Sequence, residues 1–245
     1  MYKKTRTLLL ICSLIFCAFT FKDEKITVWM MGDSTMAIKD PNKYPETGWG
    51  VPFATLFKSN VKVENRAKNG RSTRSFINEG RWQEIYDQLK TGDYLFIQFG
   101  HNDEKLDKPK VGTDIRTFKA NLCMFIAKAR EKGAKPILLS AIARRHFEQG
   151  VLVDTHKGYP AATHAVADSL KVPFIDLTEK TNDLLTGLGE QKSVTLFLHL
   201  KPGHKNYPEG VIDNTHLNRA GAMAVAKLAV EGMKELRLDL VKELK

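Results

Sequence analysis

Ser34 stands in Gly32-Asp33-Ser34-Thr35, directly after the apolar run Ile26-Thr27-Val28-Trp29-Met30-Met31. A serine placed where a strand ends and a turn begins can act as a nucleophile once an adjacent base takes its proton. Near the other end, Asp213-Asn214-Thr215-His216 sets a carboxylate three residues before an imidazole. If that segment forms a turn at a helix start, Asp213 reaches Nδ1 and holds the tautomer whose Nε2 accepts the serine proton. Between these blocks lie Asn69-Gly70-Arg71-Ser72 and Gly100-His101-Asn102-Asp103, each behind a strand-like run. The backbone N–H groups of Ser34 and Gly70 and the Asn102 carboxamide are candidate donors to a developing oxyanion. Nucleophile, base, orienting carboxylate and oxyanion donors in one chain are what acyl transfer to water requires.

Each block alone also reads as plain turn chemistry. Asp33 or Ser34 can cap a strand-to-helix turn, Asn69-Gly70 can be a simple turn, and Asn102 an Asx cap. Asp213 or Asn214 can cap the helix expected near Asn218. The other histidines, His101, His146, His156, His164, His199 and His204, lack a carboxylate at that spacing ahead of a helix. His199 and His204, beside Pro202, Gly203 and Pro208, read as loop residues at the rim.

The elements that must position these groups alternate along the chain. Ile26–Met31, Val61–Glu64, Tyr94–Phe99, Pro136–Ser140 and Val172–Ile175 read as five strands, mostly apolar as buried parallel strands are. Thr113–Glu131 carries apolar residues at helical spacing and ends at Gly133; Ala161–Leu170 and Asn218–Leu236 are two further helices. Strand-helix alternation predicts an α/β fold, a parallel sheet with helices on both faces. Active residues then collect beyond the carboxyl ends of the strands, where Ser34, Gly70 and Asn102 all fall.

A chain of 245 residues with 42% hydrophobic residues can bury one sizeable core, and no Pro/Gly/Ser linker divides it. Lys3, Lys4 and Arg6 precede the uncharged run from Leu8 to Phe19, which predicts an export signal over residues 1–20, cleaved near Thr20, ahead of one domain over 21–245. The run is too short for a membrane span of ~20 residues. Cys17 as a lipid-anchored residue is the lesser alternative. Without residues 1–20 the formal net charge falls from +10 to +7 and Cys123 is the one cysteine left, so no internal disulfide is expected. The basic residues are scattered among 28 acidic ones without an RNA-binding or zinc-finger pattern, which argues against nucleic acid as partner.

The ordered blocks resemble those of the SGNH (GDSL) hydrolases: Gly32-Asp33-Ser34, Gly70, Gly100-x-Asn102-Asp103 and Asp213-x-x-His216. Within that superfamily the chain is similar to the rhamnogalacturonan acetylesterases. Gly48-Trp49-Gly50, Asn65 to Phe76, Arg144-Arg145-His146-Phe147, Asp154 to Pro160 and Gly210 to Leu217 carry this narrower likeness. It spans roughly residues 26–230. Thr35 replaces the leucine of many superfamily members, as is common in this branch. The resemblance implies a three-layer α/β/α, flavodoxin-like fold with a five-stranded parallel sheet. It also implies hydrolysis of O-acetyl esters on an acetylated pectic polysaccharide, with no metal and no cofactor. Ser34, Asp213 and His216 would be catalytic, with Ser34, Gly70 and Asn102 forming the oxyanion hole.

Arg71, Arg74, Arg144, Arg145, His156 and Tyr159 are candidate contacts to uronate carboxylates or sugar faces. Solvated or internally paired side chains are the plainer reading of these six. An esterase for acetylated xylan or other acetylated sugars would share the catalytic blocks. A carbohydrate-binding protein without catalysis is the alternative from another class.

Overall fold

The computed structural model describes residues 26–245. The export signal expected over residues 1–20, with Cys17, lies outside that range.

Five parallel strands form the central sheet: β1 (Ile26–Gly32), β2 (Val61–Asn65), β3 (Tyr94–Gln98), β4 (Lys135–Leu139) and a short strand, β7 (Phe174–Ile175). Their spatial order is β2-β1-β3-β4-β7. The runs read as strands from composition are therefore the strands of the sheet, with ends shifted by a residue or two. Alternation along each strand divides the core in two, because successive side chains point to opposite faces. Val28 and Met30 of β1, Phe96 of β3 and Leu139 of β4 enter one cluster; Trp29, Met31, Leu95, Ile97 and Leu138 enter the other. That is why β1, β3 and β4 are apolar at nearly every position, both faces being covered, whereas the edge strand β2 alternates with Lys62 and Glu64.

Helices α1 (Gly50–Thr55), α6 (Leu177–Ser193) and α7 (Arg219–Glu235) supply Phe53, Leu185, Val225 and Ala229 to the first cluster. Helices α2 (Thr73–Asn78), α3 (Arg81–Tyr86), α4 (Ile115–Glu131) and α5 (Tyr159–Leu170) supply Phe76, Trp82, Phe118, Phe125 and Val166 to the second. Two antiparallel ribbons complete the description, β5 (Phe147–Glu148) with β6 (Val151–Leu152) and β8 (Phe197–Leu200) with β9 (Val211–Leu217). The result is the expected three-layer α/β/α arrangement.

Helices α1, α2, α3 and α6 were not expected from the sequence, and the segment before α7 departs from its reading. Residues 197–217 form the β8–β9 hairpin, so His199 lies on a strand rather than in a loop. The cap of α7 is Asn218 itself, whose Oδ1 accepts from the Ala220 and Gly221 amides, and not Asp213 or Asn214. β1 leads to β2 on one side and lies beside β3 on the other, which makes its carboxyl end a point where the winding reverses. Ligands bind open α/β sheets at such a crevice. No helix among the described residues is long and apolar enough to cross a membrane.

Candidate active site

The turn after β1 is closed from both sides of Ser34. The Asp33 carboxylate accepts the Thr35 amide (2.9 Å) and hydroxyl (2.8 Å), and its carbonyl accepts the Met36 and Ala37 amides. Gly48-Trp49-Gly50 clamps the far side: the Trp49 amide donates to the Thr35 carbonyl (2.8 Å) and the indole N–H to Gln98 (2.9 Å). A Cβ on Gly48 would stand 2.2 Å from the Ala37 carbonyl oxygen, so only glycine lets the two segments touch. Ser34 is left at the tip, 8% exposed.

The His216 imidazole meets it there. Its Nε2 is 2.9 Å from Ser34 Oγ and its Nδ1 is 2.7 Å from Asp213 Oδ2. The segment carrying this pair is not the turn at a helix start expected from the sequence. It is a bulge in β9: Asp213 pairs with Leu198 and Leu217 with Phe197, so residues 214–216 loop out between them. Asp213 Oδ1 accepts the Thr215 (2.7 Å) and His216 (2.9 Å) amides and rounds off the bulge. Half-burial pushes the Asp213 carboxyl up, but the donors from His216 and Thr215 outweigh it and hold the group well below the usual carboxylate range. A carboxylate accepts only, so Nδ1 carries the proton and Nε2 faces the hydroxyl with its lone pair.

Arg145 braces the bulge from inside. Its amide donates to the Asn214 carbonyl (2.8 Å) and its guanidinium to Asn214 Oδ1 (3.0 Å). A guanidinium only donates, so this atom is an oxygen and His199 Nε2, 2.8 Å away, donates to it as well. The same guanidinium reaches the Glu190 carbonyl (2.5 Å) and Ser193 Oγ (3.1 Å), just after Gly189 breaks the helical path of α6 with φ of 70°.

Gly70 follows β2 with φ of 76°, a conformation that favours glycine. Neither its N–H nor that of Ser34 donates to an acceptor among the described residues. Asn102, 3% exposed, turns its Nδ2 to the Arg71 carbonyl (3.2 Å), while its Oδ1 accepts from Lys105 Nζ (2.8 Å). An ammonium has no acceptor, so it settles which end of the carboxamide is oxygen. The blocks after β1, β2 and β3 thus meet at one end of the sheet.

Behind them lies a buried layer of ionisable groups. His101 Nδ1 is 3.3 Å from Asp33 Oδ2, and its ring packs edge-on against His156 at 4.6 Å between centroids. Burial raises the Asp33 carboxyl, but the facing His101 ring and the Thr35 donors together bring it down to about 2; burial lowers His101 to about 4. Asp103 Oδ1 accepts the Thr73 amide (3.0 Å) and hydroxyl (2.6 Å), tying the end of β3 to the start of α2, while Oδ2 is buried without a partner. Burial raises this carboxyl to about 7, against the pull of the Thr73 donors.

A group raised on folding stabilises fully below its unfolded value and loses that contribution as pH rises through the folded one. For Asp103 the window runs from the ordinary 3.8 to about 7. Asp103→Asn is therefore expected to gain stability relative to wild type as pH rises from 4 to 7, by at most about 1.4 kcal/mol per pH unit. The difference should level off above pH 8. Denaturant unfolding of both proteins across this range checks it; a pH-independent difference would show Asp103 ionised in the fold.

Three of the six expected sugar contacts are buried. Arg145, His156 and Tyr159 are 8%, 1% and 3% exposed, with their polar atoms engaged inside. His156 faces Glu104 (3.2 Å) and the Ile142 carbonyl (2.8 Å), and the Tyr159 hydroxyl donates to the Thr113 carbonyl (2.6 Å). They are corrected from sugar contacts to internal braces, because long polar side chains saturate their hydrogen bonds where packing buries them. Arg144 pairs with Glu104, Arg71 with Glu79 (3.0 Å), and Arg74 donates to the Pro109 carbonyl (3.2 Å). These three stay partly exposed at the same end of the sheet. No group of three or more His, Cys, Asp or Glu among the described residues could hold a metal ion.

Sequence reading missed Lys105, Asn214 and the bracing role of Arg145. Their spacing signals nothing, since each acts through a contact that only folding creates.

The model of the GDSL-like Lipase/Acylhydrolase family matches residues 30–224. Rhamnogalacturonan acetylesterase RhgT of Bacillus subtilis (strain 168) is 46% identical over 217 residues, 88% of this chain and 92% of that protein. The rhamnogalacturonan acetylesterase of Emericella nidulans is 30% identical over 220 residues, 82% of this chain and 81% of the relative. Among solved structures, Bacillus subtilis protein YXIM superposes with a TM-score of 0.75 at 27% identity, over 88% of this chain and 58% of that longer one. Axe2, an acetylxylan esterase from Geobacillus stearothermophilus, shares the fold with a TM-score of 0.61 at 18% identity, over 85% of this chain and 94% of that one.

Proposed function

Because the chain belongs to the GDSL-like lipase/acylhydrolase family, a family of carboxylic ester hydrolases, we propose that it removes O-acetyl groups from pectic rhamnogalacturonan, with Ser34 as nucleophile. An acetyl esterase acting on polysaccharides is what the relatives support most directly. The observation that carries the mechanism is the continuous hydrogen-bonded path from Ser34 Oγ through the His216 ring to Asp213.

In this reading Ser34 Oγ attacks the acetyl carbonyl carbon as His216 Nε2 takes its proton, and Asp213 steadies the imidazolium. The oxyanion accepts from the Ser34 and Gly70 amides and from the Asn102 carboxamide. Collapse breaks the bond to the sugar oxygen, which leaves with the proton from His216. Water, activated by the same ring, then releases acetate from the acetyl-serine. No step calls on a metal or an organic cofactor. Export from the cytoplasm, proposed from the basic and apolar segment at 1–20, would place the enzyme with its polymer.

The substrate is tested by acetate release from acetylated rhamnogalacturonan and acetylated xylan, measured side by side. Preference for the pectic polymer supports the assignment; preference for xylan overturns it and keeps the chemistry. Failure to release acetate from either would favour a carbohydrate-binding protein.

The Lys105 contact adds a second test of the oxyanion hole. Its ammonium orients the Asn102 carboxamide and, by drawing on the oxygen, makes the N–H groups better donors. Asn102→Ala is expected to lower kcat by about 10²-fold. Lys105→Met should lower it by about tenfold, and by nothing further when Asn102 is already alanine. Equal losses in both backgrounds would show that Lys105 acts elsewhere.

A further inference from the structure

The bulge that carries Asp213 and His216 is held at a residue that none of the chemical steps uses. Within the bulge, Asp213 Oδ1 accepts the Thr215 and His216 amides, which fixes its shape but not its place. Among the described residues, three side-chain hydrogen bonds reach residues 214–216 from outside β9. One is the His216 contact to Ser34. The other two end on Asn214 Oδ1, which accepts from the Arg145 guanidinium (3.0 Å) and from His199 Nε2 (2.8 Å). The Arg145 amide adds a backbone bond to the Asn214 carbonyl (2.8 Å).

These anchors are themselves fixed. Arg145 is buried, and no carboxylate lies within ion-pair distance of it among the described residues. A buried guanidinium in that position must spend its N–H donors on neutral oxygens. The Glu190 carbonyl, Ser193 Oγ and Asn214 Oδ1 are those oxygens, and the Phe147 ring lies 5.6 Å from the guanidinium carbon. His199 stands on β8 next to Leu198, the residue that pairs with Asp213. Both donors to Asn214 thus come from backbone that packing has already placed.

The extra residues of a bulge lack ordinary ladder partners, so other contacts must set where they stand. The tolerance here is narrow. His216 Nε2 and Ser34 Oγ are 2.9 Å apart, inside the range of about 2.6–3.2 Å in which a base can take a proton. Resting on the esterase reading above, we infer that Asn214 is a positioning residue for the general base. Held by Arg145 and His199, it fixes the bulge so that His216 meets Ser34 at proton-transfer distance. Its side chain bonds to neither Ser34 nor His216 and acts through the backbone it shares with Asp213 and His216.

Kinetics of the intact protein on para-nitrophenyl acetate, an acetyl ester without a sugar, test this. Asn214→Ala is expected to lower kcat by about tenfold with KM unchanged. Asn214→Asp keeps an oxygen for both donors and should recover most of that loss. His199→Ala removes one donor and leaves the Arg145 bonds, so it should lower kcat less and again spare KM; it decides the matter if Asn214→Ala does not fold. A second readout needs no turnover. The downfield proton resonance of His216 Nδ1–H, identified by its loss in His216→Ala, should broaden in Asn214→Ala and sharpen again in Asn214→Asp. Unchanged kcat per folded molecule, with thermal stability alone reduced, overturns the positioning role, and so does an effect on KM alone. Wild-type protein inactive on this ester and on the acetylated polymers removes the esterase reading, whereas a resonance that answers to Asn214 keeps the positioning of His216.

Discussion

Replacing Ser34 with alanine is expected to lower kcat for acetate release by on the order of 10⁵-fold while the glycan still binds. The side chain is small and stands at the tip of a turn whose hydrogen bonds come from Asp33, Thr35 and Trp49, so its loss leaves the turn intact. What disappears is the atom that, in the proposed mechanism, forms the acyl bond, and with it the two-step route through an acetyl-enzyme. The oxyanion donors remain and sustain a small residual rate. Acetate release with the Ser34→Ala protein, against wild type and with binding measured in parallel, decides it. Full activity without Ser34 would require another nucleophile and would break the mechanism at its first step.

Asp213→Asn should come next in size, at about 10⁴-fold in kcat. An asparagine keeps the shape of the bulge but offers Nδ1 of His216 a neutral partner in place of an anion. The imidazolium loses its counter-charge, and the ring can present Nε2–H to the serine instead of a lone pair. A drop confined to kcat, with KM near the wild-type value, is the signature of this loss. A change in KM alone would assign Asp213 to the shape of the site. Stability offers a second readout with a definite sign. Asp213 is depressed in the fold, so its contribution is present above the ordinary carboxylate range and is lost as pH falls below about 4. Wild type should therefore lose its advantage over Asp213→Asn on acidification.

Much of this site is legible before folding because each donor obeys a local rule. Ser34, Gly70 and Asn102 stand at strand ends that the apolar runs mark, and Asp213 and His216 are close enough in sequence to meet in any tight turn. The β8–β9 hairpin was not legible, because Leu198 and His199 pair with residues well over ten positions on, and neither segment alternates cleanly. Helix α6 was missed for a related reason: Gly187 and Gly189 interrupt it, and tertiary contacts such as the Arg145 bonds to Glu190 and Ser193 hold what propensity does not.

The expected sugar contacts divide along the same line. Arg144 and Arg145 are adjacent and chemically alike, yet Arg144 is partly exposed and pairs with Glu104, while Arg145 is buried behind the bulge of β9. Adjacent side chains on extended backbone point opposite ways, and only the partners waiting on each side settle which one stays free.

The sequence by itself determined the parallel sheet and the places of Ser34, Gly70 and Asn102 behind strand ends. It could do so because strand periodicity and turn chemistry act over a few residues. Tertiary structure alone decided that Asp213 and His216 ride on a strand bulge, that Lys105 orients Asn102, and that Arg145 is a brace. Those outcomes depend on burial and on partners remote in the chain, and neither is encoded by the identity or spacing of neighbouring residues.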